Sequence, residues 1–427
     1  MLSQKQKKQR KRHIGESHFR ASDLRAAAQI ATAATLGITR IVEGVHQSVL
    51  RTLGAREGQT AGRTSGLTGW FYKAIQAAQL NIGKGAEGAF AALEPLLDSS
   101  AAAAASSSQR EAVLAVLNGV MGDRLLISAN PLATPMSLRI NGELLLDERA
   151  QSPTGAIDNP GGRRILLMIH GLCMNDLQWT RDVNGQPFEH GQSLAQALGY
   201  TCVHLRYNTG LHVSQNGQRL AQLLETLLSQ WPSQGVELSV LAHSMGGLVM
   251  RSACLQAAHI GMAWPNALKR IVFLGTPHHG APLEKAGSFV HSLLGATPYT
   301  APFMQLARLR SSGITDLRYG NVLESDWFGQ NRFSAHADRR TPAPLPTHVA
   351  CYAVAATLAS RRSLLVDRLV GDGLVPLQSA LGRHAKPELR LAFPRAAQFI
   401  AYRTGHMDLL NDAAVAQQLH KWLSDSA

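Results

Sequence analysis

The feature that most constrains the fold is the alternation of solid apolar segments with helical patterns after residue 136. Segment 165–169 is an unbroken apolar run and segment 238–242 is apolar except for Ser239, which is typical of strands buried on both faces. Segments 217–231 and 245–258 have the apolar spacing of helices. Such an alternation predicts a mostly parallel sheet with helices on both faces, and therefore an α/β fold.

The same reasoning predicts the remaining elements. The other predicted strands are 202–206, 271–274, 348–355 and 398–402, preceded by a hairpin of 137–140 and 143–146 that turns at Asn141-Gly142. The other predicted helices are a segment holding 193–198 and a final helix at 413–423. Residues 131–427 are therefore predicted to form one α/β domain.

Residues 277–346 do not continue this alternation of strands and helices, and they contain Pro, Gly, Arg and scattered aromatic residues. The segment is too long for an ordinary connection, so we interpret it as a cap over the functional site, with a disordered insertion as the alternative.

The N-terminal third has a different character. Residues 1–20 are predicted to be a disordered basic tail, since six positive charges and no acid lie within the first twelve residues. Residues 21–130 are predicted to be a helical region, with helices near 22–53, 70–80, 86–97 and 111–120. This region either packs on the catalytic domain or offers an amphipathic surface for a partner or for peripheral membrane contact. Its Ala-rich apolar face favours packing.

Composition and charge exclude several classes of protein. Apolar residues make up 45% of the chain and the net charge is +13, which falls to +7 without the six positives of the tail. No zinc-finger spacing, RNA-binding aromatic signature or basic heptad helix is present, so we predict no nucleic-acid partner. The four cysteines are widely spaced and indicate buried thiols. No secretory signal or membrane-spanning run follows the basic start, and these features together predict a cytoplasmic protein.

Ser244 is the predicted nucleophile. It lies in Ala-His-Ser-Met-Gly-Gly at 242–247, between an apolar strand and a helix. A serine hydroxyl becomes an effective nucleophile when it is held at a sharp turn beside a base. Small residues two before and two after the serine, here Ala242 and Gly246, let strand and helix approach closely. The usual pattern has Gly at the first of these positions.

The oxyanion hole is predicted from two backbone amides. Met245 follows the nucleophile, and Leu172 or Cys173 follows the strand 165–169 through His-Gly-Leu at 170–172. His170 itself is interpreted as a residue that fixes the loop by hydrogen bonding.

His406 is the predicted base and Asp372 its orienting carboxylate. His406 follows the last predicted strand, and the alternative candidates for the base are His348 and His384. Asp372 lies between two glycines in a tight turn. A buried carboxylate is needed to hold the tautomer of the histidine and to stabilise its cation. The alternatives for this role are Asp367 and Asp408.

The adjacent His278 and His279 invite a metal interpretation. Neighbouring side chains point apart and no acidic or cysteine cluster is close in sequence, so we predict no metal site. Gly-Thr-Pro-His-His-Gly at 275–280 is interpreted instead as the floor of the pocket.

Together, these motifs resemble those of bacterial lipases and esterases of the α/β-hydrolase superfamily, and most closely the GPI inositol-deacylase-like lipases. The resemblance covers roughly residues 137–425 and adds Gly-Asp-Gly-Leu-Val-Pro at 371–376 and Gly-His-Met at 405–407. It implies an α/β-hydrolase fold, no cofactor, and hydrolysis of a small-molecule or lipid carboxylic ester through an acyl-enzyme. It also implies Ser244 as nucleophile, His406 as base, Asp372 as orienter, and Leu172 and Met245 as the oxyanion amides.

Two other functions remain open at this stage. An acyltransferase would use the same triad and pass the acyl group to an alcohol, amine or thiol. A lipid-surface or scaffold protein would carry its role in the N-terminal helices and keep a vestigial site.

Overall fold

The chain is described by a computed structural model over residues 108–148, 162–281, 310–331, 338–360 and 371–424. The predicted tail, the predicted helices before residue 108 and the alternative carboxylate Asp367 lie outside these residues. No helix within them is both long and apolar enough to cross a membrane.

The regular elements of the described residues closely follow the predicted alternation. The strands are β1 (Ser137–Ile140), β2 (Glu143–Asp147), β3 (Arg164–Ile169), β4 (Arg181–Val183), β5 (Gln186–Phe188), β6 (Thr201–Arg206), β7 (Glu237–His243), β8 (Leu268–Leu274), β9 (Ala350–Thr357) and β10 (Gln398–Tyr402). The α-helices are α1 (Ser108–Ile127), α2 (His190–Leu198), α3 (Val213–Ser229), α4 (Met245–Ile260), α5 (Ser312–Asp316), α6 (Leu377–Ala380) and α7 (Ala413–Ser424).

Eight of the strands form one sheet in the order β10-β9-β8-β7-β3-β6-β1-β2. From β6 to β10 every neighbouring pair is parallel, whereas β1 pairs antiparallel with both β6 and β2. A mostly parallel sheet covered by helices is the architecture that the sequence predicted, and the α/β fold class is confirmed.

Helices lie on both faces of this sheet. Leu166 and Met168 of β3 share one apolar cluster with buried residues of α2 and α7. Neighbouring residues of a strand point to opposite faces, so Ile169 belongs to the other face. There α4 packs so closely that a Cβ on Gly246 would lie 2.8 Å from Cγ2 of Ile169. Each fully buried Leu or Ile in such a core stabilises the fold by about 1.5–3 kcal/mol.

Two elements differ from the predictions. Helix α1 is longer than the predicted helix near 111–120 and has one non-helical residue, Met121, inside it. The chain divides into two compact units. The sheet belongs to the unit of Thr134–Phe289 and Arg310–Ala427, and α1 belongs to the other unit. The hairpin of β4 and β5 was not predicted, because strands of three residues are too short to show a period. Its turn, Asn184-Gly185, has positive φ at both residues and was the available signal.

The described part of the predicted cap packs on the loop that follows β6. The amide of Gly313 in α5 donates to the carbonyl of Gly210 at 3.1 Å. A Cβ on Gly313 would lie 2.9 Å from Cε of Met245, the residue after Ser244. The insertion therefore reaches the neighbourhood of Ser244, and its role as a cap stays a prediction.

Candidate active site

Ser244 occupies the turn between β7 and α4 and has φ +54° and ψ −124°. This positive φ is strained for a residue with a side chain, and such strain is typical of functional turns. Its amide donates to the carbonyl of Leu274 at 2.8 Å, which ties the turn to the end of β8. A Cβ at Gly246 would lie 2.5 Å from the carbonyl oxygen of Ile169, so only glycine fits where α4 meets β3.

Asp372 and His406 contact each other directly. His406 Nδ1 and Asp372 Oδ2 are 2.6 Å apart, and the His406 amide donates to the Asp372 carbonyl at 3.1 Å. Both residues are 3% exposed, so water does not compete for the contact. The other carboxylate oxygen of Asp372 accepts from the amides of Leu374 and Val375 at 2.9 and 2.7 Å. These two bonds fix the carboxylate in the turn.

The turn around Asp372 depends on Gly371, whose φ is +50°. A Cβ at this position would lie 2.0 Å from the carbonyl oxygen of Val375. The glycine that precedes the carboxylate is therefore required by close backbone approach, and it also avoids the cost of a positive φ.

Ser244 and His406 lie near each other, as the contacts of adjacent residues show. The ring of His243 lies 4.8 Å from the ring of His406, and a Cβ on Gly275 would lie 3.2 Å from Cε1 of His406. His406 Nε2 is buried and has no hydrogen-bond partner among the described residues, Ser244 included. Catalytic hydrogen bonds are commonly long in ligand-free enzymes and shorten once substrate is bound. The roles of Ser244, His406 and Asp372 stay predictions.

The loop after β3 lies against Ser244. A Cβ on Gly171 would lie 2.9 Å from Cβ of Ser244. The amide of Cys173 already donates to Thr209 Oγ1 at 3.1 Å, whereas no described residue accepts from the amide of Leu172. Of the two alternatives in this loop, Leu172 is therefore the better candidate for an oxyanion donor. No pattern in the sequence predicted this contact with Thr209.

The second candidate donor, Met245, is the first residue of α4. Amides in the first turn of a helix have no acceptor within the helix, and they carry the positive end of its dipole. The geometry is therefore compatible with an oxyanion at this helix terminus, and the assignment of Leu172 and Met245 stays a prediction.

The other histidines near the site have different surroundings. His170 stacks on Tyr207 with ring centroids 4.4 Å apart, and the Tyr207 hydroxyl donates to the His170 carbonyl at 2.8 Å. Burial lowers the pKa of His170 to about 4, so it is neutral near pH 7. Of the rival bases, His348 is exposed and His384 contacts Asp338.

The alternative carboxylate Asp408 accepts from the amide of Gly405 at 2.9 Å and thereby fixes the loop that carries His406.

His278 and His279 have separate environments. His278 is fully buried, and its ring packs on Phe273 and Phe393 at 4.8 and 5.4 Å. His279 Nδ1 lies 3.4 Å from Arg340 Nη2. Burial lowers the pKa of both rings, to about 4 for His279. Their different partners agree with the expectation that the two rings point apart.

One group of side chains has metal-binding atoms close together. Oxygen, sulfur and nitrogen atoms of Glu189, Cys202 and His204 all lie within 4.8 Å of one another. However, His204 Nε2 and Glu189 Oε1 are 2.6 Å apart, which is a hydrogen-bond length, whereas two ligands of one zinc ion are ~3.3 Å apart. Burial opposes the charge on His204, but hydrogen bonds to Cys202 and Glu189 outweigh it and raise its pKa to about 10. We interpret this group as a buried ion pair.

A cavity of about 320 Å³ lies between His212 and the part of the insertion after α5. His212 stacks on Trp327 with ring centroids 3.6 Å apart, and its Nδ1 lies 3.0 Å from Asp316 Oδ2. Ser244, His406 and Asp372 do not line this cavity.

Comparison with known proteins gives the fold neighbours of this chain. A family model described as a domain of unknown function, DUF7379, matches residues 144–304. No curated protein matches the chain. Solved structures to which it is similar include lipases, esterases and a thioesterase domain, all at low sequence identity.

One similar structure is the mature Bacillus licheniformis lipase BlEst2, with 16% identity, a TM-score of 0.39, and coverage of 65% of this chain and 97% of that one. Another is Aspergillus fumigatus lipase B, with 12% identity, a TM-score of 0.40, and coverage of 68% and 57%. A thermophilic esterase has 14% identity, a TM-score of 0.35, and coverage of 62% and 90%.

Proposed function

We propose that this protein hydrolyses carboxylic esters through Ser244, His406 and Asp372. The observation that carries the proposal is the 2.6 Å contact of His406 Nδ1 with Asp372 beside a serine held at φ +54°. A histidine bonded through Nδ1 presents Nε2 as its basic nitrogen, and Nε2 of His406 has no partner among the described residues. This is the arrangement that a general base for a neighbouring hydroxyl requires.

The reaction follows from these groups. Ser244 Oγ attacks the ester carbonyl while His406 Nε2 takes its proton, and Asp372 stabilises the resulting imidazolium. The amides of Leu172 and Met245 donate to the oxyanion. His406 then protonates the leaving alcohol, which departs and leaves an acyl group on Ser244. Water, activated by His406, attacks this acyl-enzyme and releases the carboxylic acid and the free serine.

The substrate class is a small-molecule or lipid ester. Gly313 of α5 packs against the side chain of Met245, and the next residue, Ile314, is 1% exposed. The side chains of Ile314 and Met245 place apolar groups close to an oxyanion donor, which favours an apolar acyl group. A series of p-nitrophenyl esters of rising chain length would define the preferred acyl length, and added alcohol or amine acceptors would show any acyl transfer among the products.

The test is labelling with a fluorophosphonate, which reacts with activated serines, followed by peptide mapping. We expect one adduct, on Ser244, and complete loss of labelling and of ester hydrolysis in Ser244→Ala. Ser193→Ala is the matched control, because Ser193 is an exposed residue of α2. Labelling of Ser244→Ala as rapid as that of the wild type would overturn the proposal.

A further inference from the structure

His243 is a buried histidine that the proposed reaction does not use. It is the last residue of β7, directly before Ser244, and it is 0% exposed. Its ring lies 4.8 Å from the ring of His406 and 6.2 Å from that of Trp179. A Cβ on Gly171 would lie 3.2 Å from its Nδ1. His243 therefore contacts the loop with the candidate oxyanion donor and the loop with the candidate base.

His243 bonds the backbone of His406. Its Nε2 lies 3.2 Å from the carbonyl oxygen of His406. A carbonyl only accepts, so Nε2 carries the proton and donates it. Nδ1 of His243 is buried and has no partner among the described residues. Burial, followed by the neighbouring His406, holds the pKa of His243 well below its usual value, so the ring is a neutral donor.

His406 is consequently held from two sides. Asp372 bonds its amide and its Nδ1, and His243 bonds its carbonyl. Because His243 precedes Ser244 on the same strand end, this last bond links the backbone of the candidate nucleophile to the backbone of the candidate base.

We infer that His243 is a positioning residue that sets the distance between His406 and Ser244 through its hydrogen bond to the His406 carbonyl. This inference rests on the proposed function. Catalysis by a base is sensitive to its placement, since an error of 1 Å can cost about 100-fold in rate. A neutral donor suits the position, because a permanent cation 4.8 Å from His406 would disfavour the imidazolium formed during the reaction.

Three variants of the full-length chain separate positioning from packing. His243→Leu keeps the apolar volume and removes the donor. His243→Gln places an amide NH₂ near the location of Nε2, and His243→Asn places it nearer that of Nδ1, too short to reach the His406 carbonyl. The titratable groups around His243 are His406, His170 and Arg181, so the pH profile of kcat/KM is measured for each variant.

We expect His243→Leu and His243→Asn to lower kcat by about 10- to 100-fold with KM changed less than twofold. We expect His243→Gln to recover most of the rate and the pKa of the acidic limb of the profile. Equal rates for the Gln and Asn variants, or wild-type kcat in the Leu variant, would overturn the inference. Thermal unfolding of each variant serves as the control for folding.

A second readout does not depend on esterase activity. The proton between His406 Nδ1 and Asp372 is expected to give a downfield NMR resonance, assigned by its loss in His406→Gln. In His243→Leu and His243→Asn we expect this resonance to broaden and shift, and in His243→Gln to persist. An unchanged resonance in all three variants would overturn the inference. If the wild-type protein hydrolyses no ester but the resonance changes in His243→Leu and His243→Asn as expected, positioning by His243 is supported and only the proposed function is rejected.

Discussion

Two histidine–carboxylate contacts of equal length, one buried and one partly buried, lie in different parts of the fold. His406 and Asp372 are 2.6 Å apart beside the strand ends near Ser244, and His204 and Glu189 are 2.6 Å apart where β6 meets the start of α2. The first pair uses Nδ1 of the histidine and leaves Nε2 without a partner among the described residues. The second pair uses Nε2 itself. The ring nitrogen that bonds the carboxylate, rather than the nitrogen–oxygen distance, therefore distinguishes a candidate base from a structural ion pair.

The largest expected difference between the pairs is in catalysis. Asp372→Asn should lower kcat of ester hydrolysis by roughly 10³–10⁴-fold, because an amide favours the wrong tautomer of His406. Glu189→Gln should change the kcat of the folded protein less than threefold. Steady-state kinetics on both variants checks this, and a larger loss in Glu189→Gln than in Asp372→Asn would reverse the roles assigned to the two pairs.

The second difference is in stability. Glu189→Gln should lower the free energy of unfolding by about 3 kcal/mol, because it leaves the buried, charged His204 without its carboxylate. Urea unfolding measures this loss. The double variant Glu189→Gln with His204→Gln is the control, since it removes both members. A double variant no more stable than the single one would contradict an ion-pair role.

The third prediction concerns pH. The pKa of His204 is raised to about 10, so the stability from this pair is complete below pH 6.5 and is lost as pH rises toward 10. The pKa of His170 is lowered to about 4, so its contribution is present above pH 6.5 and is lost as pH falls toward 4. We expect each loss to be roughly 3–5 kcal/mol in urea unfolding across pH 4–10.

The His204→Gln variant should lose the alkaline decline and keep the acidic one. An alkaline decline of the same size in this variant would assign that limb to another group.

The smallest expected effect is that of Cys202. Its Sγ lies 3.8 Å from His204 Nε2, whereas the carboxylate oxygen of Glu189 lies 2.6 Å away. We therefore expect Cys202→Ala to lower stability by about 1 kcal/mol, mainly through lost packing, and to leave His204 charged at pH 7. The NMR titration of His204 tests this, and a pKa below 7 in Cys202→Ala would make the thiol the main partner.

Much of the fold was predictable because its signals are local. The buried strands β3, β6, β7 and β8 each contain a short, mainly apolar segment. The order of Ser244, Asp372 and His406 along the chain suits the α/β-hydrolase class. The family resemblance already implied Leu172, but the contact that occupies the amide of Cys173 could not be predicted, since it depends on Thr209, 36 residues away. The hairpin of β4 and β5 was not predicted because strands of three residues are too short to show an alternation of apolar and polar side chains.

Local patterns in the chain specify the alternation of strands and helices and the glycines at the Ser244 and Asp372 turns. Both follow from interactions within a few residues, such as side-chain periodicity and backbone crowding. The meeting of distant polar groups, such as His243 and the His406 carbonyl, 163 residues apart, is seen only in the folded chain. Those contacts depend on the order of strands in the sheet, and pairing between distant strands is fixed by packing of the whole core rather than by any local pattern.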